Sequence, residues 1–302
     1  MKQEVIPVYK EMEEQMRRIA EKKKKKSDPL CIDGKPMYLP LNGHKIEITY
    51  YKAKRKNAPI LFGTYVGKFD EDNHNYENMF WKMISEEFQY NVVCISYKDF
   101  SECKFPCAIN DVYDVICYFM ENANEIDFDK DKVMVFGSGI GANFVTAAAM
   151  LDRANNTNYI KTQILNYPYL DLTSKKKIGD GSISTDNYVN NEAELKNPFV
   201  SPIYASKSEL ENMPKTIMIY GEEDSLRHED EKYANMLSNC GTEVYCQKYN
   251  EMEHGFVELY FLLKYMPVKS QSLSERMRRN FISGKLYKSV MSSLEFIKKH
   301  CL

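Results

Sequence analysis

The chain has 302 residues with a formal net charge of -2, 28% charged and 43% hydrophobic side chains. That length admits one large domain or two small ones with a sizeable core, and the near-neutral charge argues against general nucleic-acid binding. The most apolar run, Phe256 to Met266, carries Glu258 and Lys264 and is too short to span a bilayer. The opening residues lack an apolar signal region, so the expectation is a cytoplasmic protein with no stable membrane insertion. Eight cysteines (31, 94, 103, 107, 117, 240, 246 and 301) form no C-x-x-C pair, and they read as reduced thiols. Cys103 and Cys107 stand at i, i+4 without a nearby histidine, so no metal site is expected there.

In chain order, residues 8 to 26 read as a helix, because Val8, Met12, Met16 and Ile19 make one apolar stripe. Lys22 to Lys26 follow where positive charge suits the helix dipole. Met37 to Tyr50 reads as a hairpin turning on Asn42-Gly43. Strands and helices then alternate: strand Pro59 to Thr64, helix Asn75 to Phe88, strand Asn91 to Tyr97, helix Ala108 to Asn122. After a glycine-rich turn come strands at Thr162 to Asn166 and Thr216 to Tyr220, and a helix from Arg227 to Ser238. A last strand at Glu243 to Tyr249 precedes a helix over Leu273 to Lys299. The alternation predicts an α/β fold, a mostly parallel sheet flanked by helices. Residues 172 to 196 interrupt it with a polar insertion. That insertion and residues 1 to 35 are expected to form a small helical lid on a domain spanning 36 to 302.

The chemistry centres on Asp131 to Met150. The apolar strand Val133 to Phe136 runs through Gly137-Ser138-Gly139-Ile140-Gly141 into a stretch of helix formers beginning at Ala142. Strand, glycine turn and helix are the frame of a nucleophile elbow, G-x-S-x-G, whose apex serine stands above the sheet. Gly137 and Gly141 fit the flanking glycines, and the nucleophile position falls on Gly139, which has no side chain to attack with. Ser138, one position early, projects in a different direction from the apex. A dinucleotide fingerprint would also use Gly137, Gly139 and Ala142, but no acidic residue ends a second strand at the required distance.

Four further stretches carry a resemblance. Tyr97 to Ala108 is similar to Y-R-L-A-P-E-x-x-F-P-A-A, and Asn197-Pro-Phe-Val-Ser-Pro202 to D-P-x-x-S-P. Gly221 to Ala234 follows G-x-x-D-x-L-R-D-E-x-x-x-Y-A, and His254-Gly-Phe256 matches H-G-F. In order and spacing they resemble the hormone-sensitive-lipase-like branch of the α/β-hydrolases, which includes acetyl esterases and lipases. The resemblance covers about Pro59 to Phe256 and implies carboxylic-ester hydrolysis of short acyl groups, without a metal or organic cofactor. It implies Asp224 as the triad acid and His254 as the base. Both follow strands closely, at the sheet edge where open α/β folds place their sites.

Two departures bear on the same chemistry. Gly139 replaces the serine, and Tyr65-Val-Gly-Lys-Phe69 replaces the family's H-G-G-G-F oxyanion loop. Backbone amides of Gly67, Lys68 and Ile140 could still donate to an oxyanion, while the side chains of Val66 and Lys68 would crowd the loop. The expectation is therefore an esterase-lineage protein with a degenerate site, weak or inactive, that takes a small acyl ester or similar apolar molecule. The alternatives are an active esterase using Ser138 and a non-catalytic protein that binds a small molecule or a partner.

Overall fold

The computed structural model describes residues 34–41, 43–64, 78–98, 102–174, 177–178, 181–182, 188–265 and 273–301. The expected N-terminal helix, and with it the lid over residues 1 to 35, lies outside them apart from the last two positions.

β1 (Lys35–Leu41) and β2 (His44–Tyr51) form the expected hairpin, with Leu41 opposite His44 and Gly43 at φ +80°. β3 (Ala58–Thr64) is buried at every position, as befits a central strand covered on both faces. There follow α1 (Asn78–Phe88), β4 (Asn91–Ser96), α2 (Cys107–Glu121), the single turn α3 (Ala123–Ile126) and β5 (Phe128–Ser138). α4 (Ile140–Ala154) and β6 (Thr162–Asn166) complete the first half. Within the polar insertion, the short strands β7 (Lys177–Ile178) and β8 (Gly181–Ser182) pair with each other, and one 3-10 helix covers Glu192–Lys196. The second half runs α5 (Lys207–Leu210), β9 (Lys215–Gly221), α6 (Arg227–Asn239), β10 (Val244–Tyr249), α7 (Phe256–Tyr265) and α8 (Leu273–Cys301).

The eight-stranded sheet has the order β1-β2-β4-β3-β5-β6-β9-β10. Only β2 runs against the rest, so the sheet is mostly parallel, as the alternation implied. The hairpin is tied to the helical layer by His44 Nε2 and Asp111 Oδ1, 2.7 Å apart. Two helical layers flank the sheet: α2 packs on α4, and α4 and α6 each pack on α5, while α1 and α8 both pack on α7. Between α1, α7 and the sheet, Phe80, Trp81, Phe136 and Phe261 stack edge to face or tilted, with ring centres 5.0 to 5.4 Å apart.

Two expectations need correction. α7 was not anticipated, because its residues are apolar nearly all round and give no stripe from which a helical period could be read. More consequentially, Cys103 and Cys107 are not free thiols; they form a disulfide across the start of α2, with Cα atoms 5.8 Å apart. Spacing at i, i+4 permits a bridge once the chain turns at Lys104 to Pro106, which composition alone does not show. Among the described residues, Cys94, Cys117, Cys240, Cys246 and Cys301 carry no disulfide.

Two measurements check this architecture. Thiol titration of the denatured chain should find two fewer thiols without reductant than after reduction; equal counts would contradict the bridge. Trp81→Ala, which empties a fully buried site, should destabilise the fold by about 3–5 kcal/mol in urea unfolding.

Candidate functional site

The site sits at the carboxyl edge of the parallel strands, where β5, β6, β9 and β10 deliver their following loops. β5 ends at Ser138, and the chain turns at Gly139 with φ +55° and ψ -120° before α4 begins at Ile140. A side chain strongly resists that backbone, and glycine adopts it freely. Two hydrogen bonds clamp the turn: Gly139 N donates to Asn166 O at 3.0 Å, and Tyr169 N donates to Gly139 O at 3.0 Å. Nearby, Asn143 on α4 donates through Nδ2 to Tyr169 O (2.8 Å) and Val200 O (2.9 Å), and Ser201 Oγ accepts from Leu172 N (2.9 Å). The Asn197 to Pro202 stretch thus braces the loop after β6 against the elbow helix.

Asp224 lies in the loop after β9 and is 7% exposed. Its Oδ1 accepts from Leu226 N at 2.8 Å, which fixes the carboxylate, and its Oδ2 meets His254 Nδ1 at 2.9 Å. The loop carrying His254 comes this close because Gly221 ends β9: a Cβ there would lie 2.1 Å from Met252 O. The imidazole's other nitrogen faces the elbow. A Cβ built on Gly139 would stand 3.3 Å from His254 Nε2 and 3.9 Å from His254 Cε1, and no other heavy atom of the described residues beyond its two chain neighbours comes within 4 Å of it. The elbow, base and acid are therefore arranged as a triad, with a bare backbone at the nucleophile's place.

Two residues that the motifs do not mark complete the surroundings of His254. Tyr167 follows β6, is wholly buried, and holds the left-handed φ of +38°. Such backbone costs a non-glycine residue roughly 1–2 kcal/mol and recurs at functional sites. Its ring stands edge-on to the imidazole at 4.9 Å, and its hydroxyl donates a short hydrogen bond to Glu258 Oε2. Glu258 lies in the first turn of α7; the charge in an apolar run was the one sequence signal for it. Burial raises its carboxyl above the usual range, although the hydroxyls of Tyr167 and Ser138 beside it pull the other way. Burial and the Glu258 charge push the Tyr167 phenol well above its ordinary value.

Burial by itself would lower the His254 pKa, but the Asp224 charge and hydrogen bond, reinforced by Glu258 and Glu229, outweigh it and raise the imidazole above 6.5. Glu229, in the first turn of α6, also accepts from Leu170 N at 2.8 Å. Ser138 is fully buried at the end of β5, and its hydroxyl lies beside Tyr167 and Glu258. Ile140 opens α4 directly after the turn, so its N–H is among the first helical amides, which have no intrahelical acceptor. Gly67 and Lys68, expected in the oxyanion loop, lie outside the described residues. Among the described residues no group of histidine, cysteine and acidic side chains could hold a metal ion, and no helix is long and apolar enough to cross a membrane.

Known proteins share this fold. Residues 65–258 match the family described as alpha/beta hydrolase fold. An arylesterase of Saccharolobus solfataricus is 28% identical over 238 residues, 74% of this chain and 77% of that protein. An ethyl acetate hydrolase of Pseudomonas putida is 21% identical over 257 residues, 78% of each chain. Among solved structures, one of an arylesterase superposes with a TM-score of 0.72 at 24% identity, covering 95% of this chain and 97% of the other. The Pyrobaculum calidifontis esterase gives 0.71 at 22%, covering 95% and 93%. At those identities the structural matches speak for the fold alone. Together with the motifs and the family match over well over half the sequence, they establish that the chain belongs to the α/β-hydrolase family, in its hormone-sensitive-lipase-like branch of carboxylesterase lineage.

Proposed function

We propose that this protein has lost the acyl-enzyme chemistry of its lineage while keeping the base, the acid and a site for a small acyl ester. The observation that carries this reading is the point above Gly139. It is the place that His254 Nε2 faces at 3.3 Å, and the residue there has no side chain. A serine hydroxyl at that point would be deprotonated by His254 and would attack an acyl carbon. Without it, nothing can be acylated.

The competing reading, with Ser138 as nucleophile, is disfavoured by burial: the residue is 0% exposed, and its hydroxyl lies beside the Tyr167–Glu258 pair. Reaching a substrate would require the end of β5 to leave its pairing with Asn166. A cytoplasmic setting fits the five free cysteines better than it fits the Cys103–Cys107 bridge.

Loss of the nucleophile alone costs about 10⁶-fold in turnover in a serine protease. We therefore expect p-nitrophenyl acetate and butyrate to be hydrolysed slowly, on that order below a serine-bearing relative. We also expect no covalent labelling by a fluorophosphonate. An adduct that Ser138→Ala abolishes would overturn the reading and make Ser138 the nucleophile. Gly139→Ser should install a labelled hydroxyl, because its Cβ lies within reach of His254. The positive φ should make that variant about 1–3 kcal/mol less stable by thermal or urea unfolding.

A further inference from the structure

The esterase mechanism leaves one thing unexplained: a complete, oriented base facing an apex that has nothing to activate. A histidine and an aspartate that only tied two loops together would not need Nε2 directed at the apex of the elbow. Nor would they need the strained turn at Gly139 held by two backbone hydrogen bonds. Among the described residues, apart from the two chain neighbours of Gly139, only the imidazole lies within 4 Å of the point where a serine Cβ would stand, at 3.3 Å from Nε2 and 3.9 Å from Cε1. An oxygen atom placed there needs to move only a few tenths of an ångström to reach hydrogen-bonding distance, roughly 2.7–3.2 Å. The space released by a missing CH₂OH group is about that of one water molecule.

We propose that His254, oriented by Asp224, acts as a general base on water seated above Gly139, hydrolysing acyl esters with acidic leaving groups by single displacement. This rests on the reading that Gly139 has removed the acyl-enzyme step. Nε2 takes one proton of the water as its oxygen bonds to the acyl carbon. The tetrahedral intermediate then breaks its bond to the leaving oxygen, which receives the proton back from the imidazolium. Ester and water give acid and alcohol, with no change in oxidation state. Water is a poorer nucleophile than an activated serine, so the substrate class is set by leaving-group acidity: aryl esters and thioesters ahead of alkyl esters.

The charges around the ring suit a base. Asp224 from the β9 loop, Glu258 from α7 and Glu229 from α6 all stabilise the imidazolium formed when the proton is taken. Tyr167, from the loop after β6, contributes its ring edge and holds Glu258 by its hydroxyl. Among the described residues, these are the titratable groups that face His254. Because they raise its pKa above 6.5, and because the base must be neutral, the rate should rise with pH through a midpoint above that value.

The test is steady-state hydrolysis of p-nitrophenyl acetate by the full chain, with and without fluorophosphonate, across pH and in heavy water. The expected result is linear turnover without a burst, insensitive to fluorophosphonate and slowed in heavy water. His254→Ala should lower it about 100-fold, the lower end of general-base contributions. Asp224→Asn keeps the side chain's shape but holds the wrong tautomer, and should cause a comparable loss with thermal unfolding little changed. Gly139→Ala, whose methyl would occupy the water's place, should abolish the His254-dependent rate. Turnover no faster than buffer, or a rate that neither His254→Ala nor Asp224→Asn reduces, overturns the proposal. A burst or an adduct lost with Ser138→Ala would instead overturn the reading of Gly139 on which it rests.

Discussion

The site depends on one hydrogen bond, 2.9 Å between His254 Nδ1 and Asp224 Oδ2. It joins residues 30 positions apart on the loops after the last two strands, and each loop is fixed separately before the two meet. Asp224 is held by the Leu226 amide, and the His254 loop is seated by the close approach of Met252 O to Gly221. With Nδ1 engaged by the carboxylate, the imidazole is left with Nε2 facing the elbow. Every chemical reading of this protein, serine-dependent or not, turns on where that nitrogen points.

The elbow shows how backbone geometry can outlast the side chain it serves in the family. In a serine-bearing member the strained turn places a hydroxyl; here glycine occupies the same kind of turn without the steric conflict. The conformation is maintained from outside, by Asn166 O at the end of β6 and Tyr169 N in the loop that follows it. Glycine at the apex therefore leaves the architecture of the turn in place. The neighbouring strain at Tyr167 has the same origin: its backbone is pinned by the bond from its N–H to Ile219 O (2.6 Å) while its ring and hydroxyl serve His254 and Glu258.

Glu258 bears on the His254–Asp224 pair because burial makes its charge matter. A carboxylate in water is screened within a few ångströms, but one packed under Tyr167 against the base interacts through a medium of much lower polarity. The same low polarity pushes its own pKa upward, so the charge and its influence on His254 are coupled.

The sequence by itself determined the fold class, and its motifs singled out Asp224, His254 and Gly139, which the folded chain brings together. Short β-branched runs alternating with longer amphipathic ones are a local signal, and the four motifs each lie within a dozen or so consecutive residues. The hairpin of β1 and β2 and the strand β3 were legible for the same reason. Tertiary structure alone decided what surrounds the base. Tyr167 meets Glu258 across 91 positions, and Leu170 meets Glu229 across 59, so neither contact leaves a periodic or spaced trace. It also decided that Ser138 is sealed inside and that Cys103 and Cys107 are bridged, since side-chain direction and the closure of a turn follow from packing. Above all it decided the 3.3 Å separation at Gly139: a sequence can show that a side chain is missing, but only the folded chain shows what faces the space it leaves.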